Sequence, residues 1–361
     1  MIAKIRWTLT VPIVGIVALV LTWGRDLPPP VAVIVALLLA GSVLAAVHHA
    51  EVVAHKVGEP FGSLVLAVAV TVIEVALIVT LMISGGDKTQ ALARDTVFAA
   101  VMITCNGIMG LSLLVGAIRR RIAVFNPEGT GGALAAVAMV ATLSLVLPSL
   151  TTSRPGPQFT PPQLAFAAVA SLALYLLFVT VQTRRHRDYF LPITTAGRVI
   201  SEEEHLDPPT NREAGISLGV LLVALIAVVG LAKGISPAIE SAVVGAGMPQ
   251  AVVGVVIALM VLLPETIAAV RAAARDRMQT SLNLALGSAM ASIGLTIPAI
   301  AVAMIWLDGP LVLGLGGTQM VLLALTVVVG TLTVVPGRAN VLQGGIHLSL
   351  LAAFLFLAAS P

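Results

Sequence analysis

The sequence predicts an all-α polytopic membrane protein of about eleven transmembrane helices, a first helix followed by two inverted five-helix repeats. Three observations predict it. The 361-residue chain is 58% hydrophobic and only 10% charged, whereas charged residues make up about a quarter of a soluble domain. Apolar runs long enough for the roughly 20 residues that a span requires recur from one end to the other. A pattern of glycine, proline and glutamate also occurs twice, once in each half. Backbone in hydrocarbon must satisfy its own hydrogen bonds, and long runs without two-residue alternation do so as helices.

In chain order, residues 1–29 hold the first helix, with its core at 6–23. A basic start before an apolar run resembles a signal peptide, but no small-residue cleavage site precedes WGRDLPPP, so a retained helix is expected. Residues 30–183 form the first repeat, with helix cores at 30–54, 58–84, 94–118, 131–148 and 161–183. Residues 184–213 are a polar, acidic linker on the cytoplasmic side. In it, Ser201 followed by Glu202, Glu203 and Glu204 reads as a helix start. A solvated connector and a cation-gathering segment are both open readings of this linker. Residues 214–361 form the second repeat, with cores at 215–246, 250–273, 279–305, 310–333 and 340–358. The 215–246 segment is too long for one straight span, so a kink or break is expected near Lys233-Gly234-Ile235-Ser236-Pro237.

Charge distribution orients this set. Lys4 and Arg6, His55-Lys56, Arg119-Arg120-Arg121, Arg184-Arg185-His186-Arg187, the cluster of Arg271, Arg275 and Arg277, and Arg338 all fall on one side. The positive-inside rule makes that side cytoplasmic, with the N-terminus inside and the C-terminus outside. The expected location is a bacterial inner membrane. The net charge of +3 is explained by these flanks, and a nucleic-acid partner is not expected. Single Cys105 excludes an internal disulfide framework.

The repeat is visible residue by residue. Seven residues separate Glu51 from Gly58 and Glu240 from Gly247, and each glycine opens a Gly-x-Pro, Gly58-Glu59-Pro60 and Gly247-Met248-Pro249. A glutamate inside an apolar run follows each, Glu74 sixteen residues on and Glu265 eighteen. Five helices per unit is an odd number, so the second unit enters the membrane from the opposite face, the arrangement of secondary transporters.

An ionised carboxylate at bilayer depth costs about 2.5–3.5 kcal/mol on insertion scales and needs compensation. Glu74 and Glu265 are therefore the candidate cation- and proton-binding pair, and the candidate metal ligands. Carboxylate oxygens suit hard cations, and a proton competes for the same atoms, which gives exchange. A single such glutamate could instead be hydrogen-bonded between helices. Asn106 and Thr104, with Ser288, Ser292 and Thr296, offer neutral oxygens, although small polar residues also serve simple helix packing. Gly107, Gly110, Gly287 and Gly294 fit close packing against the glutamate helices, and Pro264 would free a backbone carbonyl one turn before Glu265. Glu51 and Glu240 could line the ion path. His48, His49 and His55 could sense protons, or be plain interfacial side chains. Gln279 and Asn283 are weaker candidates. No nucleophile, metal-histidine set or nucleotide motif argues for an enzyme, and no cofactor is expected beyond the transported ions.

GEPFGSLVLAVAVTVIEVALIV and LPETIAAVRAAARDRMQTSLNLALGSAMASIGLTIP resemble the two alpha-repeats of the cation/calcium exchanger superfamily. The likeness is to its proton-coupled bacterial branch, the calcium/proton antiporters, including the type credited with sodium and potassium export. The resemblance covers roughly residues 30–360. It implies eleven helices, two inverted repeats and an acidic segment between them. It also implies that Glu74 and Glu265 bind cation and proton alternately, with the surroundings of Asn106 and Ser288 completing the site. Family members carry a G-N-x-x-E signature where this chain has Val70-Thr71-Val72-Ile73-Glu74 and Val261-Leu262-Leu263-Pro264-Glu265. The missing asparagines leave fewer side-chain oxygens, which argues against strict calcium selectivity and leaves room for monovalent ions. The expected function is a cation/proton antiporter exporting Ca2+, or Na+ and K+ as well. A sodium-coupled calcium exchanger and a passive cation channel are the alternatives.

Overall fold

The computed structural model describes residues 4–25, 27–58, 61–85, 90–193, 209–307 and 309–360. The acidic run of the 184–213 linker, Glu59-Pro60 and Lys88 lie outside the described residues. The chain is helical almost throughout. Among the described residues eight helices are long and apolar enough to span a membrane, or nine if one broken pair is a single span. Trp7–Thr22 and Ala67–Ile83, the described parts of two further apolar helices, add to these, and the count does not by itself establish the expected eleven.

The chain divides into two compact units, and neither follows the order of the repeats: each draws on both halves. One unit contains α1 (Lys4–Thr22), α2 (Pro29–Val57), α3 (Phe61–Gly85), α8 (Asn211–Gly245) and α9 (Ala251–Val261). The buried residues of α2 (Val35, Leu39, Val43, Val47 and Ala50 among them) recur every three or four positions. That period lays one stripe of the helix against its neighbours. The stripe packs with Leu221, Ala224, Val228 and Leu231 of α8 and with Val70, Ile73, Leu77 and Leu81 of α3. Leu19 of α1 seats on Gly230, where any larger residue would collide with it.

The paired Gly-x-Pro motifs end helices. Gly58 caps α2 with φ 76° and ψ 167°, a conformation open essentially to glycine alone. Gly247, at φ 68°, follows α8, where its N–H bonds to Val244 and that of Met248 to Val243. The prolines that follow cannot continue a helix. α8 itself runs unbroken through Pro237, so the expected break near Lys233 is not there. At 35 residues it is about 52 Å long, well beyond a hydrocarbon core of about 30 Å.

The break falls instead in the Glu265 segment. α9 stops at Val261, Leu262 adopts φ −86° and ψ 0°, and α10 (Leu263–Ala274) begins with Pro264 in its first turn. Proline supplies no N–H to the preceding turn and is best tolerated at a helix start.

The second unit holds α4 (Leu92–Met102), α5 (Met109–Arg120), α6 (Pro127–Ala141), α7 (Pro161–Thr180), α10, α11 (Met278–Gly294), α12 (Thr296–Ala303), α13 (Gly317–Val334) and α14 (Val341–Ala359). α4 and α5 form one span joined by a π turn, Ile103–Ile108, all of whose residues are buried. Strands β1 (Ala123–Val124) and β2 (Arg338–Ala339) pair antiparallel, tying the end of α5 to the start of α14. The helix expected from residue 310 starts only at Gly317. Residues 310–316 form no regular structure and are pinned by backbone bonds from Gly314 to Pro157 and from Leu315 to Leu145, at 3.0 and 2.8 Å.

α5 and α14 cross at glycines. A Cβ on Gly344 would lie 2.7 Å from the Leu114 nitrogen and 3.0 Å from the Gly110 oxygen, whereas Gly345 beside it has open space. Gly344→Ala should therefore cost about 1–3 kcal/mol of stability, the range for overpacking. Gly345→Ala should be near neutral, and thermal unfolding of the detergent-solubilised protein measures the difference.

Candidate functional site

Glu74 lies in the middle of α3, on the stripe shared with Val70, Ile73, Leu77 and Leu81, and is only 2% exposed. Its position follows from helical spacing, since residues three and four apart share a face. Glu265 occupies the first turn of α10. It is half-buried, with its Oε2 fully shielded. Thr266, the next residue, turns its hydroxyl back onto the Leu262 carbonyl at 2.7 Å.

Asn106 is fully buried in the π turn. There the Met109 N–H reaches back five residues to the Thr104 oxygen, the wide turn that recurs at functional positions. The Asn106 amide is already engaged. Nδ2 donates to Thr326 Oγ1 at 2.8 Å, and Oδ1 lies 3.1 Å from Nδ1 of His347. The other ring nitrogen of His347, Nε2, is 3.2 Å from Thr333 Oγ1. Thr326, Asn106, His347 and Thr333 thus form a continuous buried chain joining the π turn to α13 and α14. Thr104 turns its hydroxyl back on the Ala100 carbonyl at 2.7 Å.

On α11, Ser292 is buried and Ser288 partly so, four residues apart on one face. The hydroxyls of Ser281 and Thr296 are buried with no hydrogen-bond partner among the described residues. The π turn packs against both α10 and α11, so within this unit it touches the helices that carry Glu265, Ser288 and Ser292. Gln279 and Asn283 clamp the end of α11. Gln279 accepts from the Asn126 N–H at 2.7 Å and donates to Asn283, which in turn donates to the Phe190 carbonyl at 2.7 Å.

The glycines depart from expectation. Gly107 faces Leu351, Gly110 faces His347, and Gly294 faces Tyr175, so these sites serve contacts with α14 and α7 rather than with the glutamate helices. Among the described residues Gly287 has no neighbour within contact of a Cβ. In the other unit, Glu51 and His48 are exposed and His49 is buried, its Nε2 3.3 Å from the Thr8 oxygen. Glu240 accepts from Ser236 at 3.1 Å. Among the described residues no three His, Cys, Asp or Glu side chains cluster to hold a metal ion.

The sequence reading missed His347, Thr326 and Thr333. A lone histidine in the apolar run GGIHLSLL was the available signal, because an ionisable residue inside a span needs a buried partner.

Long apolar helices, one of them broken at a proline, with carboxylates and a hydrogen-bonded polar chain enclosed among them, define a multi-pass membrane transporter. The chain belongs to the sodium/calcium exchanger protein family, whose sequence profile matches residues 28–184 and 216–359. It is 46% identical over 362 residues to the y4hA protein of Sinorhizobium fredii, covering 98% of this chain and 96% of that one. It is 32% identical over 352 residues to the sodium-potassium/proton antiporter ChaA of Escherichia coli, covering 96% of this chain and 94% of that one. The solved H+/Ca2+ exchanger CAX shares its fold, with a TM-score of 0.71 over 97% of this chain and 91% of that one at 12% identity. The protein is a transporter and not an enzyme.

Thr326→Val should leave the buried Asn106 amide without its acceptor and cost about 1–3 kcal/mol. Thr331→Val on the exposed side of the same helix should change the unfolding temperature little.

Proposed function

We propose that this protein is a secondary antiporter of the bacterial inner membrane. It exports an inorganic cation, Ca2+ or alternatively Na+ and K+, in exchange for protons by alternating access. The observation that carries this reading is Glu74, a carboxylate 2% exposed in the middle of a 25-residue apolar helix. A carboxylate at that depth can bind a proton or a cation, and a group that binds either one can trade them. Glu265, in the first turn of a helix that starts at a break, is the second carboxylate of the cycle. Ser288, Ser292 and backbone carbonyls near the Leu262 break supply neutral oxygens. The proton-coupled activities in the names of ChaA and CAX support proton coupling. The family's description favours a second reading, sodium-coupled calcium exchange.

Ion-driven proton movement in proteoliposomes tests both. Vesicles loaded acidic receive Ca2+, Na+ or K+ outside while internal pH is followed. Alkalinisation on Ca2+ alone identifies a calcium/proton antiporter, and a response to Na+ or K+ a broader one. Calcium flux that needs sodium and ignores the pH gradient favours the second reading. Uphill accumulation driven by a pH gradient excludes a passive channel. Glu74→Gln and Glu265→Gln should each bring exchange to background while the protein still inserts and elutes as the wild type does. Full transport in either variant removes that residue from the mechanism.

A further inference from the structure

The chain of hydrogen bonds around His347 has a definite polarity. Thr326 donates its own proton to the Leu322 carbonyl at 2.8 Å, so toward Asn106 its hydroxyl accepts, and the group facing it must be the amide nitrogen. That places Oδ1 of Asn106 toward His347. Oδ1 only accepts, so ring nitrogen Nδ1 carries the proton, a tautomer assigned from the network. In the neutral ring Nε2 then accepts from the Thr333 hydroxyl. This arrangement of protons satisfies every atom of the buried chain and keeps the Thr326 bond to Leu322.

Among the described residues packed around the ring, no unpaired carboxylate is present to neutralise a charged imidazole. α14 carries no other ionisable side chain. On the described elements packed against it the ionisable groups are Cys105 in the π turn, Arg119 and Arg120 in the last turn of α5, Arg338 in β2, and the Arg94–Asp95 pair of α4. Asp95 is held by Arg94 at 2.8 Å. The one carboxylate among these groups is thus already paired, so the ring is built as a hydrogen-bond bridge rather than a proton carrier.

We propose that His347 is a positioning residue for the exchange reaction. Its Nδ1–H holds the Asn106 amide, and through it the π turn, in the orientation that the turn's other side presents to α10 and α11. Gly110 and Gly344 make the approach possible, since a Cβ on Gly110 would lie 2.8 Å from the His347 Cβ. The proposal rests on the transport reading above for its functional consequence, but its chemical content is independent of it.

The test compares His347→Asn, His347→Gln and His347→Leu in the proteoliposome assay, from about pH 6 to 8, the range in which a free imidazole titrates. The amide nitrogen of asparagine overlies Nδ1, whereas that of glutamine overlies Nε2. His347→Asn should keep exchange within about threefold of wild type with an unchanged pH profile. His347→Gln and His347→Leu should lose about tenfold or more, as expected when a buried hydrogen-bonding group is left unpaired. Loss in His347→Asn with full activity in His347→Gln overturns the proposal. Selective 15N-histidine NMR provides the readout that needs no transport, with the His347 signals assigned by their absence in His347→Asn. A neutral Nδ1–H ring across this range is expected. An Nε2–H tautomer or a titration within the range overturns the proposal even if transport follows the pattern. If the wild type exchanges no ion, the transport reading fails, and the tautomer still decides the assignment of Nδ1 to Asn106.

Discussion

A polar group in hydrocarbon must find a partner within the protein, and the features described here meet that demand in different ways. Backbone amides are satisfied by helix formation, which makes the chain helical nearly throughout. Serine and threonine hydroxyls fold back onto the carbonyl a turn earlier, as Thr104 and Thr326 do. Side chains that cannot satisfy themselves join chains, as Asn106 and His347 do. A buried carboxylate is the costliest group of all, and the burial of Glu74 carries the functional reading in a family whose members move cations.

The two compact units handle polarity differently. The one around α2 and α8 is held by a long aliphatic seam with small residues at the contacts, such as Ala224, Ala227 and Gly230. The one around the π turn contains several buried polar networks: Asn106 with His347, Gln279 with Asn283 and Asn126, and Ser144 with Ser171 at 3.1 Å. Hydrogen bonds fix directions that aliphatic packing leaves free. The second unit is therefore specified more tightly in its helix rotations.

Much of this was legible in the sequence. Apolar length located most of the spans, since it is a property of composition alone, and Gly-x-Pro marked the ends of α2 and α8, because only glycine takes the required backbone and proline stops the helix. Glu74 and Glu265 stood out by their cost. What was not legible depended on neighbours distant in the chain. Pro237 breaks nothing because α8 runs on through it, whereas Pro264 coincides with a break, and local sequence does not rank the two. His347 appeared as an isolated polar residue because its partners, Asn106 and Thr333, lie 241 and 14 positions away. Residues 310–316 looked apolar enough for a helix, but their backbone bonds go to Leu145 and Pro157 instead.

The π turn has a further consequence. In an α-helix each residue advances the face by about 100°, so a turn widened to admit one more residue resets which side chains look in a given direction. The Leu92–Arg120 span, whose apolar window is 83% buried, therefore behaves as two helices spliced out of phase, with α4 and α5 each presenting its own set to its neighbours. Removing the extra residue would leave the span's length and hydrophobicity almost untouched, yet rotate everything beyond the splice. Gly110 would leave α14, and the crossing that brings His347 to Asn106 would close on a larger side chain. In this span phase, more than composition, is what natural variation has to preserve.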